Sequence, residues 1–261
     1  MNYRLGKRPK VMSLGAIALS EFMAGKPEWP AVKPRGWEHA LPPGAIKMLG
    51  NDHYGICLPA AMMHYAQTET AAAGSPLTPT LAHTIQVYTD ITGFDPKLDQ
   101  PDGTNPTDNG TYYRDALRYW QQNGIPLLDA KGNEVIHKII GWASLDLSSV
   151  AQQRWATDVF GGTMMGINCP ASAMNDLSDW RYVPGSPTLG GHAINRVGQG
   201  RAGWHIDSWG RVIPGTWEFS LNLADEDYVV VTPSWLNQQG KSPSGFDLDG
   251  LVAAMRKVKQ H

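Results

Sequence analysis

Apolar side chains recur at helical spacing through the first half of this chain and at strand-like spacing through the second. Leu58, Ala61, Met62, Tyr65 and Ala72 share one face of a helix from about Cys57 to Ala72. Pro59 is tolerated there because it lies in the first turn, where its missing amide would have had no partner. Thr78-Pro79 opens a second helix through Leu81, Ile85 and Tyr88, and Gly93 closes it. A loop rich in Asp, Pro, Gly and Thr spans 94–110. A third helix follows through Tyr112, Ala116, Tyr119 and Trp120, stopping at Asn123-Gly124.

After residue 125 the period changes. Short runs at Val135–Ile140, Thr163–Ile167, Ala193–Val197, Trp204–Ile206 and Tyr228–Val231 are bounded by Gly and Pro, as strands are. One helix, about 148–159, interrupts them. A tail helix over 247–259 sets Leu248, Leu251, Val252, Met255 and Val258 on one face, the pattern of a helix that docks. Helices first and strands later predict an α+β architecture of two lobes. Residues 1–45 read differently, as an extended arm. A basic start (Arg4, Lys7, Arg8, Lys10) and a short helix near 12–24 precede Pro27, Pro30, Pro34, Pro42 and Pro43, which forbid a long helix. The run Val11 to Ala24 is broken by Ser13, Ser20 and Glu21, so an amphipathic helix is expected rather than a secretion signal.

Composition narrows the function classes. The 261 residues carry a net charge of -2, which gives no electrostatic reason to expect nucleic acid or an anionic membrane as partner. No stretch approaches the length of a membrane span. Two cysteines make neither a disulfide framework nor a metal cage. Cys169 is expected to end a buried strand, and both thiols to be free. No spacing of carboxylates and histidines calls for a metal, and nothing calls for a cofactor.

Cys57 stands at the first turn of its helix, after Gly50-Asn51-Asp52-His53-Tyr54-Gly55-Ile56. The helix dipole and unpaired amides favour negative charge there, which biases a thiol toward thiolate. Gly190-Gly191-His192-Ala193 places a histidine 135 residues later, and His205-Ile206-Asp207-Ser208-Trp209-Gly210 a carboxylate 150 residues later. Nucleophile, base and orienter thus occur in that chain order. Asn51, six residues before Cys57, presents an amide NH2 suited to an oxyanion, although Asn-Asp is also ordinary turn chemistry. Of the other histidines, His53 and His64 lie close to Cys57 in sequence but lack a matching later Asp, and His205 reads as structural.

These segments resemble papain-like cysteine peptidases, with a spacing of the kind such enzymes show. The resemblance covers about 48–235. It includes Asn109-Gly110-Thr111 to Gly124-Ile125 and Gly161-Gly162-Thr163-Met164-Met165-Gly166-Ile167. It implies a helical lobe (about 46–130) carrying the Cys helix and a β lobe (about 131–235) carrying His192 and Asp207, with 236–261 as a docking helix. It also implies cleavage of peptide or isopeptide amides, with Cys57 as nucleophile, His192 as base, Asp207 as orienter and Asn51 as oxyanion donor. Asp207 departs from the Asn usual before Ser-Trp-Gly. The Gly50–Cys57 signature, Thr107-Asp108-Asn109-Gly110 and Gly-Gly-His-Ala look like those of proteins encoded in tailed-phage genomes. That implies a virion or host-cytoplasm setting, with virion proteins as partners of residues 1–45. Two alternatives stand beside the peptidase: a virion structural or binding protein on the same fold with weak or lost catalysis, and a cell-wall amidase or endopeptidase. The long Cys–His separation disfavours the latter.

Overall fold

Helix α1 (Cys57–Ala72) forms the centre of the molecule. The apolar stripe predicted one buried face, but every residue from Cys57 to Thr70 is buried. The reason is position: α2 (Leu81–Thr92) and α3 (Tyr113–Gln122) pack on one side of α1, and the main sheet on another. Its polar members therefore need partners. His64 Nε2 lies 2.9 Å from the Lys47 carbonyl, and Glu69 accepts from Thr232 and Ser234. Thr80 caps α2 by accepting from the His83 amide, and Gly93 ends it in the left-handed region at φ 76°.

The structure is a computed structural model that describes residues 3–11, 17–22, 37–200, 203–239 and 247–258. Beyond α3, β1 (Ile125–Leu128) and β2 (Glu134–His137) form a small antiparallel ribbon. The expected strand over 135–140 ends three residues early, at His137, whose ring receives the Trp120 indole N–H. The main sheet is antiparallel and six-stranded. Its strands are β3 (Gly141–Ser144), β4 (Thr163–Pro170), β5 (Thr188–Gln199), β6 (Gly203–Ser208), β7 (Arg211–Thr216) and β8 (Ala224–Val231), in the order β3-β8-β4-β5-β6-β7. Helix α4 (Val150–Phe160), begun by Ser149, packs on it. Helices α5 (Ala171–Asn175), α6 (Trp217–Leu223) and α7 (Pro233–Gln239) are short additions that the sequence pattern did not reveal.

Cys169 is buried near the end of β4, and both cysteines are free thiols. Helix α8 (Leu248–Val258) buries Leu248, Leu251, Val252 and Met255 against Trp155, Phe160 and Trp235. Much of the expected 12–24 helix lies outside the described residues, as do Leu14, Pro27, Trp29, Pro30 and Pro34. Within them, Leu19–Phe22 makes a 3-10 turn whose Leu19 joins the α8 cluster. The fold is α+β, with a helical lobe carrying the Cys57 helix and a sheet lobe carrying His192 and Asp207.

Candidate active site

A tight turn aims the start of α1. Asp108 clamps this turn from the 94–110 loop: its carboxylate accepts the Gly55 amide at 2.9 Å and the Tyr88 hydroxyl at 2.6 Å. The Tyr88 hydroxyl in turn receives the Gly110 amide. No side chain caps the helix at Ile56, so its first amides stay available.

Residues 3–8 cross this helix start as an extended strand. The Arg4 amide donates to Asn51 O at 3.0 Å, Lys7 to Gly191 O at 3.1 Å, and Arg8 to Thr111 O at 2.9 Å. In return the Thr111 amide donates to Gly6 O at 2.7 Å. The slot is one backbone wide. A Cβ on Gly6 would fall 1.8 Å from Gly55 O, one on Gly110 would fall 2.1 Å from Gly6 O, and one on Gly191 would fall 2.2 Å from Lys7 O. The cavity left beside the thiol is about 10 Å³, lined by Asn51, Cys57, His64, Asp207, Ser208 and Trp209 among others. That is room for a single water at most.

Cys57 itself is 1% exposed. Burial raises its pKa, opposed by the amides of Ala193, Gly6 and Lys7 and by the Lys7 charge. Two of those three amides belong to the arm. His192 lies on β5 and is fully buried, which pulls its imidazole down to about 3. Both groups are therefore neutral in this arrangement, and no hydrogen bond joins the sulfur to the ring. Nδ1 of His192 has no partner, while Nε2 lies 2.7 Å from Ser208 Oγ. Trp209 stacks on the imidazole with centroids 4.2 Å apart, and Tyr3 of the arm stacks on the same indole with centroids 4.7 Å apart. Trp209 and Gly210 both have positive φ, 46° and 74°, in the two-residue turn between β6 and β7. A bulky residue there costs about 1–3 kcal/mol of strain, which its packing over His192 offsets.

Asp207 faces the other side of β6. Its Oδ1 accepts from Asn195 Nδ2 at 3.0 Å and lies 3.6 Å from His64 Nδ1. The sequence pointed to Asp207 as the partner of His192; the contact to His192 Nε2 is made by Ser208 instead. Alternation explains the exchange, because adjacent residues on a strand point to opposite faces. His64, set aside in the sequence, lines the cavity with Cys57, two turns along the same helix. Its Nε2 is taken by the Lys47 carbonyl and its Nδ1 faces Asp207. Asn51 is buried and lines the same cavity, and its Nδ2 donates to the carbonyls of Arg4 at 3.0 Å and Tyr54 at 3.3 Å.

The sequence reading assigned no site role to three residues, Lys7, Asp225 and Glu226. The Lys7 side chain enters the sheet lobe and meets Asp225 Oδ2 at 2.7 Å and Glu226 Oε1 at 3.1 Å. The acidic run Asp225-Glu226-Asp227, inside a strand otherwise ending in three valines, is the signal that buried charge was needed there. Among the described residues, no three His, Cys, Asp or Glu side chains are grouped to hold a metal, and no helix is long and apolar enough to cross a membrane.

The fold is that of papain-like cysteine proteases. Xylellain, a cysteine protease from Xylella fastidiosa, superposes with a TM-score of 0.62 at 16% identity, over 88% of this chain and 97% of that one. Procathepsin B S9 from Trypanosoma congolense gives 0.58 at 13% identity, over 88% and 86%. The ragweed pollen cysteine protease Amb a 11, in its proform, gives 0.55 at 16% identity, over 82% and 62%. No protein-family model matches the sequence, and no curated protein matches it.

Proposed function

We propose that this chain is a cysteine peptidase held shut by its own N-terminal arm. The observation that carries the reading is the seating of residues 3–8. An extended peptide lies hydrogen-bonded between Thr111 and Gly191, with Gly6 packed on Gly55 at the start of the Cys57 helix. A cleft that binds one peptide backbone at a thiol, on a helix start, is built for peptide substrates. Two of the structural neighbours are described as a proenzyme or proform, which agrees with an arm of this kind.

Catalysis in this reading starts when the arm leaves and water returns. The thiol proton passes to Nδ1 of His192, and Ser208 holds Nε2. The thiolate attacks the substrate carbonyl, and Asn51 Nδ2 with the Cys57 amide receives the oxyanion. His192 returns its proton to the departing amine as the C–N bond breaks, leaving a thioester. Water then attacks the thioester carbonyl, frees the acid and restores the thiol. Asp207 and His64 line the cavity at the thiol, and Asp207 also holds Asn195. The arm, the papain-like core and the tail helix form the proposed division of the chain at about 45 and 235.

The tailed-phage setting rests on the resemblance of the Gly50–Cys57 and Thr107–Gly110 segments. In that setting a virion protein that displaces the arm would be the activating partner. The peptidase reading itself is tested by alkylating the native protein with iodoacetamide and mapping the adduct. Capture of Cys57 ahead of Cys169 is expected, because Cys57 lies under the arm and is uncovered when residues 3–8 lift. Equal indifference of both thiols would leave a structural domain without catalysis.

A further inference from the structure

We infer that Asp225 and Glu226 form a specificity pocket beside the thiol, and that the side chain it selects in a substrate is lysine or arginine. This deepens the peptidase reading and rests on it.

A β-bulge makes the pocket. Along β4, Gly166 pairs with Glu226 while Ile167 pairs with Ala224, so Asp225 is the extra residue. The bulge brings two consecutive carboxylates onto one cation, where regular alternation would separate them. Glu226 is 4% exposed, and its other oxygen accepts the Tyr228 hydroxyl at 2.9 Å. Gly166 gives the pocket its depth, since a Cβ there would sit 2.3 Å from Lys7 Cε. The Lys7 side chain is 1% exposed although its backbone belongs to a strand laid over the surface. The pocket therefore swallows a whole basic side chain.

The position relative to the chemistry follows from the arm. Lys7 contributes the side chain in the pocket, its amide is bonded to Gly191 O next to His192, and the preceding Gly6 packs on Gly55, two residues before Cys57. A substrate residue seated in the pocket thus has its backbone within about a residue of the bond under attack. An aliphatic side chain would leave Glu226 buried and unpaired, which is costly, and an acidic one would add repulsion. Burial raises the Glu226 pKa and Lys7 lowers it, in keeping with a carboxylate that needs a cation.

Two readouts on the full chain test this. The first is the rate of Cys57 alkylation by iodoacetamide, which reports release of the arm. Lys7→Arg should keep the wild-type rate, whereas Lys7→Leu, Lys7→Glu and the near-isosteric Glu226→Gln should raise it about 10–100-fold, the worth of a charge-assisted contact. Equal rates across the Lys7 series overturn the pocket's selectivity. The second uses the Lys7→Leu chain and synthetic peptides varied at one position at a time. One position should prefer Lys or Arg over Leu or Glu by about 10–100-fold, and Glu226→Gln should collapse that ratio. Cleavage indifferent to charge at every position overturns the substrate class. If no peptide is cleaved while the alkylation order holds, the peptidase reading fails and the acidic pocket stands.

Discussion

The Nε2 atom of His192 lies 2.7 Å from the hydroxyl oxygen of Ser208, and its Nδ1 is left without a partner. A ring anchored at one nitrogen and open at the other is arranged to exchange a proton on the open side. In the proposed mechanism Ser208 is a positioning residue for His192, and Asp207 holds Asn195 on the neighbouring strand. Ser208→Ala should lower kcat about tenfold or more with little change in KM, and Ser208→Thr should restore part of it. Asp207→Asn keeps an acceptor for Asn195 and should cost less than Ser208→Ala. The reverse order in steady-state kinetics would return the orienting role to Asp207.

Asn51 holds a peptide carbonyl now, that of Arg4. With the arm displaced, the same NH2 group faces the substrate carbonyl, and its contact strengthens as charge develops on oxygen. Asn51→Ala should therefore reduce kcat about 10²–10³-fold while KM moves little. Unchanged turnover with a loosened 50–55 turn would make Asn51 a turn residue only.

Acid stability should report the burial of His192. Its pKa is about 3 in the folded protein against 6.5 for a free imidazole, so between those values the unfolded chain binds the extra proton. The contribution is full above about pH 6.5 and is lost as pH falls toward 3, on the order of 4–5 kcal/mol in all. The raised carboxyls of Glu226 and Asp227, raised first by burial, act in the opposite sense and favour the folded state at low pH. They are common to wild type and His192→Asn, so the difference between the two isolates the histidine. The variant should lose less stability between pH 6.5 and 4 in denaturant titrations. Parallel pH profiles would mean that His192 is hydrated in solution.

The sequence reading reached the helices best. α1, α2 and α3 each combine a periodic stripe with a start or stop signal such as Pro59, Thr78-Pro79 or Gly93, and the structure has their ends within a few residues. It lost β3 and β7 for a physical reason. Both are edge strands; β3 has four residues, and β7 carries Pro214 and Gly215, which an edge strand tolerates because its outer side pairs with a single residue, Trp180, and not with a full strand. Around the thiol, the placement of Cys57 at the start of α1 and of Asn51 in the turn before it was legible from local turn chemistry. Ser208 was not, because which of two neighbouring strand residues faces the histidine depends on register, and register is set by strands far away in sequence. The burial of Cys57 was not legible for a similar reason: it is Gly6, far from the helix in sequence, that packs on Gly55 and covers the helix start.

The account stands on the arm covering a working thiol. Gly6→Ala tests this most directly, because the added methyl collides with Gly55 O and must lift residues 3–8 from the cleft. The measurement is the initial rate of hydrolysis of an unstructured protein substrate by the full chain. It should rise about tenfold or more in Gly6→Ala over wild type, and vanish when Cys57→Ala is added. A Gly6→Ala chain that folds, yields its Cys57 to iodoacetamide and still cleaves nothing would contradict the account.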